Sequence, residues 1–355
     1  MRPFVSSFVH EYENDEYTVP EREVPALWHH DGLEDTIHSY PFPRNISDFD
    51  RSGSLIVGEE PKTDAVNFNR LPRFGFTGLA TTQEWLYAGS WNGIYEINKS
   101  NFQLNRILSH RLMNDIHGIW TDGEIIISTL PGKDAVVFTD MHGKIVDHFS
   151  IDSKLNVYKN DSLMEYDWRF LSKQYRGSTG KFHFNYLQKR DNEIWLTSRN
   201  LCCFVVVDTE QMTAKLRTIS YKTPAEIHDG VWHDDGYVYL TSVDGKVFRV
   251  GSAEEVPYTP FDDVDEAYLF DRDLYPSKIR LEQTEFGREP NWCRGISLEN
   301  EQIFLNVDGR YGTRHYSVIE VDWEGTLHNS RKLDWKMVGN EHEIRYMTGF
   351  DLLLV

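Results

Sequence analysis

The stretch Asp115-Ile116-His117-Gly118-Ile119-Trp120 runs into the turn pair Asp122-Gly123 and then into the apolar run Ile125-Ile126-Ile127. That is the pattern of a strand, a tight turn and a second strand. The unit returns along the chain with drift. Thr77-Gly78-Leu79 precedes Glu84-Trp85-Leu86-Tyr87, and Asn185-Tyr186-Leu187 precedes Asn192-Glu193-Ile194-Trp195-Leu196. Asp229-Gly230-Val231 precedes Asp235-Gly236-Tyr237-Val238-Tyr239-Leu240, and Arg294-Gly295-Ile296 precedes Asn300-Glu301-Gln302-Ile303-Phe304-Leu305. A weaker copy ends the chain, Glu343-Ile344-Arg345-Tyr346 and then Gly349-Phe350-Asp351-Leu352-Leu353-Leu354. Each copy reads as the inner half of a four-stranded blade, and repetition at this period predicts an all-β fold, a six-bladed β-propeller. Five blades with extra N-terminal structure, or seven blades, are the other counts that the spacing allows.

The whole chain, 1–355, reads as a single propeller domain. Residues 1–70 form an irregular acidic arm in which Pro20, Pro25, Pro41, Pro43 and Pro61 interrupt any long helix or central strand. Ser54-Leu55-Ile56-Val57-Gly58 reads as a short strand within it. Leu352-Leu353-Leu354-Val355 reads as the second strand of a last blade that lacks its outer strands, so an N-terminal strand is expected to complete it and remove the open edges. Residues 152–180 and 252–290 break the rhythm between blades and are expected to lie as lids on one rim of the channel. Within the first, Ser162 followed by Glu165 predicts a capped short helix over 162–171.

Composition removes several function classes. The formal charge is −19, from 37 Lys and Arg against 56 Asp and Glu, which disfavours nucleic acid and anionic lipid as partners. No window approaches a membrane span, and the N-terminus has no apolar run of signal-peptide length. Three cysteines without metal-type spacing read as reduced thiols of a cytoplasmic protein. There is no Gly-x-Ser-x-Gly elbow, phosphate loop or dinucleotide fingerprint.

The innermost strand of each blade lines the central channel. Aligning the copies puts Thr77, His117, Asn185, Asp229, Arg294 and Glu343 at the inward place; if the pairing slips by one residue, His183, His228 and His342 take it. Imidazole, amide, carboxylate and guanidinium groups converging on an axis are the outline of a ligand site. His117, His183, His228 and His342, with Glu343 and Asn185, form a candidate ligand set for a divalent iron, zinc or calcium ion. Other histidines, His29, His30 and His233 among them, read as surface or turn residues. Arg294 beside Trp292 would clamp an anionic group, and Trp168 and Tyr268 on the insertions would hold the rest of a substrate. His117 near Asp115 suits general acid–base catalysis, with Asp229 as orienter or third catalytic group.

The hard oxygen ligands Asn185, Asp229 and Glu343 give the chain, from about residue 73 to 355, a resemblance to the six-bladed propeller hydrolases of the gluconolactonase, paraoxonase and strictosidine-synthase type. What that resemblance implies is a metal or catalytic residue at the mouth of the axis. His117 and Arg294 depart from the oxygen-ligand pattern of those enzymes. The expected function is therefore an enzyme, a hydrolase or lyase acting on a small anionic metabolite at the channel mouth. A histidine-ligated iron oxygenase and a non-catalytic ligand- or protein-binding propeller are the alternatives.

Overall fold

The computed structural model describes residues 3–11, 22–30, 35–43, 55–59, 75–170, 181–201, 203–218, 227–233, 238–242, 246–250, 254–255, 279–280, 292–299, 302–308, 316–322, 327–332 and 346–354. Among these the regular structure is β, apart from short 3₁₀ turns at Pro131–Lys133, Asp161–Glu165 and Trp168–Phe170. No helix of the described residues is long and apolar enough to cross a membrane.

The described strands fall into six sheets. The first is built from Leu79–Thr81, Trp85–Gly89, Ile94–Asn98 and Leu104–Ser109, and the second from Ile119–Thr121, Ile125–Leu130, Ala135–Asp140 and Ile145–Ile151. The third uses Phe184–Arg190, Glu193–Ser198, Cys203–Asp208 and Thr213–Thr218; the fourth uses Ile227–Trp232, Val238–Ser242 and Lys246–Val250. The fifth runs through Trp292–Glu299, Gln302–Asp308, Tyr316–Asp322 and Leu327–Lys332. Within each of these the strands follow one another as antiparallel neighbours, so short local turns fix the register.

The sixth sheet joins the two ends of the chain. Tyr346–Leu354 pairs antiparallel with Pro3–Glu11, which pairs with Arg22–His30, and that strand with Asp35–Ser39. The C-terminal segment thus supplies a first strand rather than a second, and three N-terminal strands supply the rest. Ile56–Gly58 does not take part in this sheet. It runs parallel to Leu104–Ser109 as the outer edge of the first sheet. Pro25 sits inside a paired strand opposite Phe8. Its carbonyl accepts from the Tyr40 amide, one step beyond the ladder that starts at Ala26 and Ser39, so the missing N–H falls at the end of that ladder.

The first strands of successive sheets are neighbours in space, and Tyr346–Leu354 in turn neighbours Leu79–Thr81. The cores lie between adjacent sheets. Tyr87, Ile94 and Leu108 of the first sheet pack with Ile126, Leu130 and Val137 of the second. Ile127, Val136 and Phe149 pack with Phe184, Ile194 and Val205 of the third. Leu27 and Tyr40 of the N-terminal segment pack with Phe76, Tyr95 and Ile107. The Tyr95 hydroxyl donates to the Pro41 carbonyl at 2.7 Å and the Asn92 amide to that of Pro43 at 2.8 Å, so polar ends of the same residues fix the segment they bury. His29 belongs to this seam. It is buried and stacks on Phe102, not at the surface as its sequence context implied.

Only parts of the two interruptions lie within the described residues. Residues 161–170 form 3₁₀ turns, without a side-chain cap at Ser162 and without the predicted helix. The Ser162 hydroxyl donates instead to Asn160 Oδ1 at 2.7 Å. Of the stretch 252–290, the described residues are edge strands. Glu254–Glu255 pairs with the outer strand of the third sheet and Ile279–Arg280 with that of the fourth.

First strands approach each other too closely for side chains at certain points. A Cβ on Gly78 would overlap the carbonyl oxygen of His117, and one on Gly118 would stand 2.9 Å from the Leu187 amide nitrogen. Neither neighbour is a flexible side chain, so the backbone itself would have to move. Gly78→Ala is expected to cost about 1–3 kcal/mol, read as a lower urea midpoint with an unchanged m-value.

Candidate functional site

Where the first strand of a sheet meets the second, the pairing skips two residues, a β-bulge. In the third sheet Phe184 pairs with Ser198 and Leu187 with Leu196, leaving Asn185 and Tyr186 in the bulge. In the fourth, Ile227 pairs with Ser242 and Gly230 with Leu240, leaving His228 and Asp229. In the fifth, Cys293 pairs with Val307 and Ile296 with Leu305, leaving Arg294 and Gly295. His228, not Asp229, is therefore the equivalent of Asn185 and Arg294, the one-residue slip that the repeat alignment left open. In the sixth sheet Val5 pairs with Leu352 and Ser7 with Gly349, so the bulge falls at Phe350 and Asp351. The final copy is thus displaced from the Glu343 alignment.

His117 lies at the same tier, because its amide and the Gly118 carbonyl pair with Thr129 as those of Thr77 and Gly78 pair with Gly89. His117 Nδ1 lies 2.8 Å from Asn185 Oδ1, which fixes the ring across the boundary between two sheets. With the amide oxygen assigned to that contact, Nδ1–H is the donor. Nε2 lies 3.4 Å from Asp115 Oδ1. The His183 ring meets that of His117 edge-on, centroids 5.3 Å apart. His117 is 8% exposed, Asp115 6% and Asn185 6%, so this is a partly desolvated cluster. Asp115 and His183 both take left-handed backbone, with φ 55° and 51°, which costs a non-glycine residue energy and is a mark of positions set by their surroundings.

Other polar side chains of this tier bond to the next sheet. The Thr77 hydroxyl donates to the Ile116 carbonyl. Thr129 accepts from the Gly118 amide at 2.7 Å and donates to the Phe184 carbonyl at 3.4 Å. Thr197 accepts from the Tyr186 amide at 3.0 Å and donates to the His228 carbonyl at 3.1 Å. Thr241 accepts from the Asp229 amide at 3.1 Å. Asp229 Oδ1 accepts from Gly230 at 2.8 Å and Oδ2 from the Ile296 amide at 3.3 Å. These threonines serve the bulges and stitch neighbouring sheets together. Their signal was present in the sequence as Ile127-Ser128-Thr129, Leu196-Thr197-Ser198 and Leu240-Thr241-Ser242.

Just behind this tier, the Asp134 carboxyl accepts three backbone amides, from Lys181 at 2.5 Å, Phe182 at 3.1 Å and His183 at 3.3 Å. Burial pushes its pKa up to about 7 in spite of those bonds. His110 is fully buried between Thr139 Oγ1 at 2.9 Å and the Leu112 amide at 3.3 Å, and burial pulls its pKa down to about 3. Leu112 N–H needs an acceptor on Nδ1, so the proton of the neutral ring sits on Nε2 and points at Thr139. Neither residue stood out in the sequence, since each is an ordinary strand-flanking polar residue there.

Trp168 is buried in the core shared by the first two sheets. Its indole N–H donates to the Leu163 carbonyl at 2.8 Å, its carbonyl accepts from Asn114 at 2.6 Å, and the Lys133 ammonium lies 3.8 Å from its ring centroid. These contacts fix Trp168 beside Asn114 and Lys133. The next residue, Arg169, is completely buried and forks onto Asp167, at 2.9 and 2.5 Å, while its Nη1 donates to the Glu59 carbonyl at 2.7 Å. Trp292 and Arg294 lie on the strand Trp292–Glu299, and their side chains fall outside the description. Tyr268, His342 and Glu343 lie outside the described residues. Among the described residues no three His, Cys, Asp or Glu side chains are placed to hold a metal ion. His117 has Nδ1 on Asn185 Oδ1 and Nε2 3.4 Å from Asp115 Oδ1.

No protein-family model matches the chain, and no curated protein matches it significantly. Among solved structures, the nidogen/laminin complex aligns over 99% of this chain and 97% of its own, at TM-score 0.51 and 9% identity. A computationally designed protein, Ika4, aligns over 54% of this chain and 99% of its own, at TM-score 0.32 and 14% identity. The first likeness shows the fold alone: an all-β, propeller-like architecture.

Proposed function

We propose that the six sheets are the blades of one six-bladed β-propeller, closed where the N-terminal strands meet the C-terminal strand, and that it is an enzyme. Its site lies at the axial tier of His117, where a small anionic metabolite undergoes hydrolysis or elimination. The observation that carries this reading is the 2.8 Å bond from His117 Nδ1 to Asn185 Oδ1. It holds one imidazole nitrogen in a fixed role and aims the other, beside Asp115, for proton transfer, the base-and-orienter arrangement of acid–base catalysis. Arg294, at the equivalent bulge of the fifth sheet, is the proposed anion clamp. The proposed compartment is the cytoplasm.

The test is turnover of a panel of lactones, esters and hydroxy acids, followed by mass spectrometry, with His117→Gln as the paired variant. We expect a water-gain or water-loss product from the wild type, and a rate lower by about 10²–10⁴ in the variant at unchanged stability. Binding without turnover in both proteins would favour the second reading, a ligand-binding propeller. The observation behind that reading is the set of inter-sheet bonds made by Thr77, Thr129, Thr197 and Asp229, which gives this tier an assembly role.

A further inference from the structure

We infer that Asn185 is a ligand-contacting residue, and that its side-chain N–H takes a carbonyl or carboxylate oxygen of the small molecule. The inference rests on the axial-site reading above and names the chemistry of one subsite within it. Asn185 is 6% exposed, and among the described residues its Nδ2 is buried without a hydrogen-bond partner. Its Oδ1 is committed to His117 Nδ1 at 2.8 Å. A buried amide donor left unmet loses its water without compensation, so native folds seldom keep one without a use. Turning the amide over does not remove the cost, since the oxygen would then be the unmet atom.

The placement gives the orphan its meaning. Asn185 occupies the bulge of the third sheet, the same tier as His228 and Arg294 in the next two. Its counterparts Thr77 and His117 each give a polar atom to the following sheet, the hydroxyl to Ile116 and Nδ1 to Asn185, whereas the Asn185 Nδ2 makes no such bond among the described residues. An N–H beside the imidazole of His117 is matched by an sp² oxygen, which offers lone pairs and needs no proton of its own. Because the donor is closed off from solvent in the free chain, binding has to move a neighbour aside, and the loop through His183 is adjacent.

The experiment is a titration of the ¹⁵N-labelled full chain with sodium acetate, acetamide and methylammonium chloride at matched ionic strength. The Asn185 side-chain NH₂ pair is observed directly, assigned by its loss in Asn185→Leu and in Asn185→Asp. We expect a saturable shift of that pair in the millimolar range, as befits so small a probe. Acetate as the stronger probe would make the oxygen a carboxylate's, and acetamide a carbonyl's. A response to methylammonium alone would reverse the amide and overturn the oxygen assignment. If the His117 ring resonances move while the Asn185 pair stays still with all probes, this inference fails and the axial site survives. If neither moves, both fail.

Discussion

Replacing Arg169 with Met is expected to destabilise the chain by about 3 kcal/mol, because it strips the buried Asp167 carboxylate of the guanidinium that forks onto it and leaves the charge of Arg111 as its neighbour. The guanidinium is fully buried and serves three pieces of chain at once. It forks onto Asp167, donates to the Glu59 carbonyl at 2.7 Å and reaches Ser109 Oγ at 3.4 Å. Next to it, Arg111 binds Glu59 through the carboxylate, a charge that holds the Glu59 carboxyl below its usual range even though burial pushes the other way. The Arg169 Nη1 bonds to Glu59 and Ser109 therefore fasten the first insertion to the first sheet, beside Trp168 and its bond to Asn114. The double variant Arg169→Met with Asp167→Leu should recover much of the loss, since an apolar pair of similar volume removes both charges. Urea denaturation of the three proteins checks this. A single variant within about 0.5 kcal/mol of wild type would mean that water reaches Asp167 and the pair carries little of the packing.

How much of this was legible in the sequence follows from what each feature depends on. The repeats were legible because each strand pair is closed by its own local turn, and polar–glycine–apolar spacing reports such a turn directly. The fourth repeat was misread by one residue because Asp229-Gly230 copies the look of His117-Gly118 while the bulge is set by the partner strand, through Ile227–Ser242 and Gly230–Leu240 pairing. The sixth sheet was only half visible. Its register depends on contacts across nearly the whole chain, Pro3 with Leu354 and Val9 with Met347, and Pro25 in the strand sequence argued against the correct assignment. Nothing local to Trp168 reveals that Arg111, Asn114 and Lys133 will be its neighbours, since they come from other parts of the chain. His117 stood out in the repeat, yet its partner on Nδ1 lies sixty-eight positions away and only the fold brings Asn185 to it.

Asp134 should make the stability of this chain fall as pH rises from about 4 to 7. Burial raises its pKa from 3.8 to about 7, ahead of the opposing bonds from Phe182, Lys181 and His183. Below the unfolded value both states carry the proton and the group has no net effect on the slope. Between the two values the unfolded chain releases the proton and the folded chain keeps it, so the unfolded state gains by about 1.4 kcal/mol per pH unit. Above about 7 the folded carboxyl ionises as well and the loss stops growing. Carboxylates with lowered values, such as Asp122 and Asp152, push the other way on the acid side, so the readout is the difference between wild type and Asp134→Asn. That substitution keeps one oxygen for the Phe182 and His183 amides, gives up the acceptor for Lys181 at a cost that does not vary with pH, and cannot ionise. Relative to wild type it should gain several kcal/mol between pH 4 and pH 8, with nearly all of the change inside the 4–7 window, measured by denaturation at each pH. The same carboxyl accepts the amides of residues 181, 182 and 183, the entry to the third sheet, and the His183 ring meets that of His117. A parallel pH dependence of ligand response at His117, absent in Asp134→Asn, would tie the buried carboxyl to the axial site. A flat stability difference across the window would show that the amides outweigh burial and that Asp134 is ionised throughout.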